Sequence, residues 1–290
     1  MSAKNFEERL KKHAEDFHPV VPFDKKDRLL LLDFTERNTE LNAEILENTN
    51  LFIKYINSKL QEAGAKYGIG GYNEHRTIYS RSKLFGPSPT ASPRVEDPSK
   101  APSRWEGEKE SDETRNVLND ILTALKQQQS KKAISDLSSP TGGQGAEPRR
   151  LHLGIDIWGR PYTKVMAPLD GIVHSFAFNN AFADYGATII LTHNLDGETF
   201  HTLYGHLSLN SIKNIQAGDR IRKGDVFTEF GIPFENGQWP PHLHFQLIID
   251  MQGMKGDYPG VCKFSEREKY LGNCPDPDLI LQMMQYADKM

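Results

Sequence analysis

The chain has 290 residues, 37% of them hydrophobic and 26% charged, with a formal net charge of −4. That length can bury a real hydrophobic core in one large or two small domains. The balance of charge gives no electrostatic footprint for nucleic acid, and no apolar run approaches the roughly 20 residues of a membrane span.

The opening MSAKNFEERLKKHAEDF is charged and lacks the apolar stretch of a secretory signal. Two cysteines, Cys262 and Cys274, are too few for a disulfide framework and read as free thiols. Together these features lead us to expect a cytoplasmic protein. Residues 36–62 carry Leu41, Ile45, Phe52, Ile56 and Leu60 at helical spacing, with Gly64 where a C-cap would fit. This predicts an amphipathic helix and an N-terminal helical segment over 1–65. The run DRLLLLDFTERN before it has no settled state.

Residues 66–86 mix glycines with aromatic and β-branched residues, as a loop and strand packing on a following domain would. From 87 to 150 the composition turns to Pro, Ser, Gly, Lys and Glu, which predicts a largely disordered insertion. Val117, Ile121 and Leu125 predict a short helix near 111–129 within it. After Leu151, short β-branched and aromatic runs alternate with Gly, Asp and Asn turns. That pattern predicts a mainly β domain over 151–285, an antiparallel sandwich or barrel. The tail is expected to end in a helix with Pro277 near its start.

Seven of the ten histidines lie between residues 152 and 244. In PPHLHFQLIID, His242 and His244 are i and i+2 on a strand and project from one face. Taken alone they read as two core histidines satisfied by hydrogen bonds. In HLGID, His152 and Asp156 would stand about 13 Å apart on a straight strand, too far to share a metal. Gly154 permits a bend that folds them together. His206, in TLYGHLS, is the third element, whereas His174, His193 and His201 have no such company. Two His and one Asp match the protein ligands of a catalytic zinc, with a fourth position left for water. Two further histidines then remain for proton transfer and oxyanion stabilisation.

The order HLGID, APLDGIV, YGATIILTHNLDGETFHTLYGHLS, AGDRIRKGDVFTEFG and PPHLHFQL resembles the lysostaphin-like zinc metallopeptidases over about residues 151–250. The resemblance implies one Zn2+ per chain held by His152, Asp156 and His244. It also implies His242 as general base and His206 as oxyanion stabiliser. A peptide or muropeptide substrate follows, since such enzymes cut peptidoglycan cross-links or stems. Asn73, Arg76, Tyr204 and Trp239 are expected to contact substrate, with Asn73 able to reach the zinc as in latent family members. Where many relatives have a short G-x-T-G stretch, this chain has GIPFENGQWPP, which reshapes the expected cleft. YGIGGYNEHRTIY and the tail also resemble the peptidase-like module of some bacterial kinase and class III aminotransferase fusion proteins.

Two alternatives compete. A non-cutting binding or regulatory module would keep the fold, but such relatives lose ligands and here the set is complete. APLDGIV and AGDRIRKGDVF resemble the hairpins of biotinyl or lipoyl carrier domains, yet no lysine occupies the tip such a carrier needs.

Overall fold

In the computed structural model the N-terminal part supplies helices, as expected, and also strands at one edge of a large sheet. Residues 3–86 and 147–288 are described, and together they form one compact unit. In chain order they give α1 (Ala3–Lys12), β1 (Leu29–Leu31), α2 (Ala43–Glu47), α3 (Thr49–Ala63) and β2 (Tyr67–Gly70). After the gap come β3 (Arg149–His152), β4 (Ile155–Trp158), β5 (Lys164–Met166), β6 (Gly171–Asn179), β7 (Gly186–Leu195) and β8 (Glu198–Leu207). The chain continues with β9 (Arg220–Ile221), β10 (Val226–Glu229), β11 (His242–Ile248), β12 (Val261–Lys263) and β13 (Ala287–Asp288).

Nine strands form one sheet in the order β13-β1-β2-β4-β11-β8-β7-β6-β9. It is antiparallel except at the edge, where β1 pairs parallel with β2 and β13. β5–β10 and β3–β12 are separate two-stranded ribbons. The fold is thus mainly β, with helices towards both ends. Among the described residues no helix is long and apolar enough to cross a membrane.

The leucine run before residue 36 becomes β1. The predicted continuous helix is instead two helices, because two asparagines cap rather than continue it. The Asn42 side chain accepts from the Ile45 N–H, and Asn48 accepts from Asn50 and Leu51. Such local bonds compete with helix interiors and favour N-termini. At the other end Gly64 is left-handed, at φ 59°, and its N–H reaches the Gln61 and Leu60 carbonyls. The tail forms one-turn helices at Arg267–Leu271 and Asp278–Leu281, the second with Pro277 as its N-cap where the sequence placed its start. The predicted helix near 111–129 lies outside the described residues, as does the expected insertion except for 147–150. Of these, Arg149 and Arg150 already open β3.

Phe52 and Ile56 of α3 pack into a core cluster with Leu30, Leu32, Phe34, Trp158 and Trp239. The Phe52 ring lies 6.0 Å from Trp158 and 6.3 Å from Trp239. A second cluster, with Leu151, Tyr185, Leu203 and Tyr258, holds both cysteines, which are free and buried.

Candidate metal centre

β11 is buried along its whole length, and its neighbours decide what its polar face meets. In the antiparallel register His244 stands opposite Asp156 of β4 and opposite Gly205 of β8, while His242 stands opposite Trp158. Directly opposed residues share a face, so His242, His244, Asp156 and Trp158 converge on one side.

His152 arrives from a different sheet. The chain leaves β3 at His152 and enters β4 at Ile155, so the corner at Gly154 folds two otherwise distant side chains together. Gly154 also makes room: a Cβ there would lie 2.5 Å from His244 Cε1. The glycine is required by close approach of the imidazole.

Three atoms define the centre. His152 Nε2 and His244 Nδ1 are 3.0 Å apart, and Asp156 Oδ1 lies 3.2 Å from the first and 3.1 Å from the second. A tetrahedral ion with bonds near 2.0 Å requires ligand atoms about 3.3 Å apart. The tautomers agree with that reading. His152 Nδ1 faces the Gly71 carbonyl at 3.3 Å, and a carbonyl only accepts, so Nδ1 carries the hydrogen and Nε2 is bare. His244 Nε2 faces Gln246 Oε1 at 2.9 Å. The Gln246 amide is oriented by donating to the Pro259 carbonyl at 3.1 Å, so His244 Nδ1 is bare as well. Two lone pairs and a carboxylate oxygen aimed at one point need a cation between them. The three residues fit zinc by donor type, spacing and hydrogen-bonded support.

Charge follows from the same surroundings. Burial opposes ionisation of Asp156, but the Arg76 guanidinium beside it holds its carboxyl well below the ordinary range. Burial and then the Arg76 charge push His152 down to about 3, keeping it neutral as a ligand must be.

Beside the ligands stand two more imidazoles. His206 and His242 have ring centroids 4.1 Å apart, and Trp158 stacks on His242 at 3.9 Å with the planes 13° apart. His206 Nδ1 donates to the Asn236 carbonyl at 2.8 Å, and His242 Nδ1 donates to that of Pro240 at 2.7 Å. Each therefore keeps its Nε2 as an acceptor. Burial lowers His242 to about 4, and burial with the neighbouring His242 takes His206 well below its ordinary value. None of the five residues is more than 6% exposed. A cleft lined by Asp156, His206, His242 and His244 also has Tyr79, Phe85, Tyr185 and Trp239 in its walls.

The expected substrate contacts fare differently. Trp239 lines the cleft, its ring 6.2 Å from that of His206. Tyr204 does not. It opposes Phe245 on the other face of β11, is fully buried, and accepts a hydrogen bond from Thr202. His206, only two residues on, reaches the site because its φ is +64° and β8 bulges against β7 between Ala187 and Ile189. Asn73 does not sit among the ligands: its Oδ1 accepts from Arg267 Nε at 2.9 Å, and its backbone N–H donates to the His152 carbonyl. Arg76 is fully buried and ion-paired to Asp156 and Glu74, so it is not presented to a substrate carboxylate. Gln246 and the Gly71 carbonyl were not anticipated. Gln246 was legible in principle, since 242, 244 and 246 share a face at period two.

A buried His-Asp-His cluster able to hold a metal, with two neutral imidazoles beside it, is the arrangement a metal-dependent hydrolase class uses. Residues 150–255 match the model of Peptidase family M23. A Haemophilus influenzae protein described as an uncharacterized metalloprotease is 33% identical over 102 residues. That alignment covers 35% of this chain and 19% of the relative, so the chain spans about a fifth of that protein's length. Among solved structures, the catalytic domain of the antimicrobial peptidase lysostaphin from Staphylococcus simulans is 24% identical, covering 45% of this chain and 84% of its own, with a TM-score of 0.30. LytU is 27% identical, covering 44% and 74%, with a TM-score of 0.28.

Proposed function

We propose that the chain is a zinc-dependent peptidase of the endopeptidase type, hydrolysing a peptide or amide bond in a peptide or muropeptide. The observation that carries this reading is the triangle of His152 Nε2, Asp156 Oδ1 and His244 Nδ1, with edges of 3.0 to 3.2 Å and no hydrogen on either nitrogen. Zinc bound there would supply Lewis acidity and lower the pKa of a water in its fourth position to about 7.

The chain's own residues do the rest. His242 Nε2, bare because Nδ1 is held by Pro240, takes the proton of the attacking water and later returns it to the leaving amine. Trp158 stacked on the ring keeps that nitrogen aimed into the cleft. His206 is also an acceptor in its resting tautomer. Its Nδ1 hydrogen is held by the Asn236 carbonyl, so it can donate to the developing oxyanion only when its Nε2 is itself protonated. The Trp239 wall, introduced by the bulky QWPP approach, narrows the cleft beside His206 and bears on which residue a substrate can present.

The test is hydrolysis by the purified zinc-loaded protein of a panel of muropeptides, linear peptides and simple amides. Cleavage by the wild type and its loss in His242→Ala with zinc retained is the expected result. A wild type that binds zinc but cuts none of the panel would favour the non-cutting module. Activity confined to linear peptides or amides would remove cell-wall peptides as the substrate.

A further inference from the structure

Arg76 is the largest fully buried charged side chain among the described residues, and it comes from outside the 150–255 stretch that carries the ligands. Its guanidinium is spent entirely within the protein. Nη1 donates to Asp156 Oδ2 at 2.5 Å, Nε donates to Glu74 Oε2 at 2.7 Å, and Nη2 reaches the Gly71 carbonyl at 3.3 Å. The Phe34 ring lies 5.2 Å from its Cζ.

Several local features exist to admit it. Gly70 stands opposite Asp156 in the β2–β4 register, and a Cβ there would run into the Arg76 guanidinium. The loop from Gly71 to Arg76 is then zipped onto β3. Asn73 N–H donates to the His152 carbonyl, the Glu74 carbonyl accepts from His152 N–H, and Arg76 N–H donates to the Arg150 carbonyl. The same loop supplies the Gly71 carbonyl that fixes the tautomer of His152. One short segment thus orients two of the three candidate ligands from behind.

The consequence for Asp156 is chemical. A free carboxylate can offer a cation both oxygens, and a chelating carboxylate would take the position a water must occupy. Here Oδ1 faces the two bare imidazole nitrogens while Oδ2 is occupied by Nη1. We propose that Arg76 is a positioning residue of the metal centre, which by engaging Oδ2 holds Asp156 to one-oxygen ligation and keeps a fourth position open. The proposal rests on the zinc reading above. It also makes the upstream segment an integral part of the site, because the ligand stretch cannot supply this cation itself.

The test compares wild type, Arg76→Met and Arg76→Lys as full-length chains, measuring zinc affinity by competition with a chromophoric chelator and the visible spectrum of the Co2+-loaded proteins. Loss of an outer partner typically costs 10- to 100-fold in metal affinity. We expect a loss of that size in Arg76→Met, a smaller one in Arg76→Lys, and weaker Co2+ absorption in Arg76→Met as Asp156 swings to chelate. Arg76→Lys keeps the buried cation, so it decides the matter if Arg76→Met does not fold by circular dichroism. Variants with wild-type affinity and an unchanged Co2+ spectrum would overturn the proposal while leaving the zinc reading intact. A wild type that binds neither metal would overturn both.

Discussion

The Gln246 side chain stands between the metal face of β11 and the backbone of Pro259, and its amide can face only one way. Gln246→Leu keeps the volume and removes the acceptor for His244 Nε2–H. We expect zinc affinity to fall about 10-fold or more in a chelator competition, with the fold intact. His244→Ala should abolish zinc binding, whereas His242→Ala should retain it. Equal metal loss in both variants would contradict the separation of ligand from base. At this scale much was legible in the sequence. His152, Asp156, His206, His242 and His244 all meet, because period two and a glycine corner are properties of single residues. Tyr204 was misplaced for the same kind of reason. Strand parity puts residues 204 and 206 on one face, and the left-handed backbone at His206 together with the β8 bulge separates them. Arg76 was illegible because a buried arginine and a substrate-binding arginine look alike until their partners are known.

At the scale of elements, α3 matters to the site through aromatic contacts rather than through any polar group. Phe52 packs against Trp158 and Trp239, and these two rings lie against His242 and His206. Arg81 adds a guanidinium 4.6 Å from the Trp239 ring and donates to Thr49 at the first turn of α3. Phe52→Ala should cost about 3–5 kcal/mol in urea unfolding, the usual price of emptying an aromatic core position. Asn48→Ala should cost roughly 1 kcal/mol, since it removes the α3 cap without touching the core. A cost for Asn48→Ala as large as that of Phe52→Ala would mean that capping, not packing, holds this helix. Apolar spacing revealed the helix itself. Its break at Asn48 was hidden because the spacing of Leu41, Ile45 and Phe52 runs through residues that cap by side chain.

Over the whole molecule, strands from both sides of residues 87–146 share one sheet, with β2 hydrogen-bonded to β4 beside the ligands. β1, in a leucine run whose state the sequence leaves open, and β2, in the segment expected to hold a loop and strand, find partners distant in the chain, β13 and β4, that no local pattern announces. Ligands drawn from β3, β4 and β11 meet only in the folded chain, so metal binding should stabilise that fold. At zinc concentrations near 1,000 times the dissociation constant the gain should be about 4 kcal/mol, seen as a raised melting temperature that chelator reverses. No change in melting temperature would show that the ligand triangle does not take up the ion. The most direct measurement is an anomalous difference map at the zinc edge from crystals grown with zinc. The prediction is a peak about 2.0–2.2 Å from each of His152 Nε2, Asp156 Oδ1 and His244 Nδ1, with Asp156 bound through one oxygen. No peak between these atoms in a zinc-saturated crystal would contradict the metal centre and the function built on it.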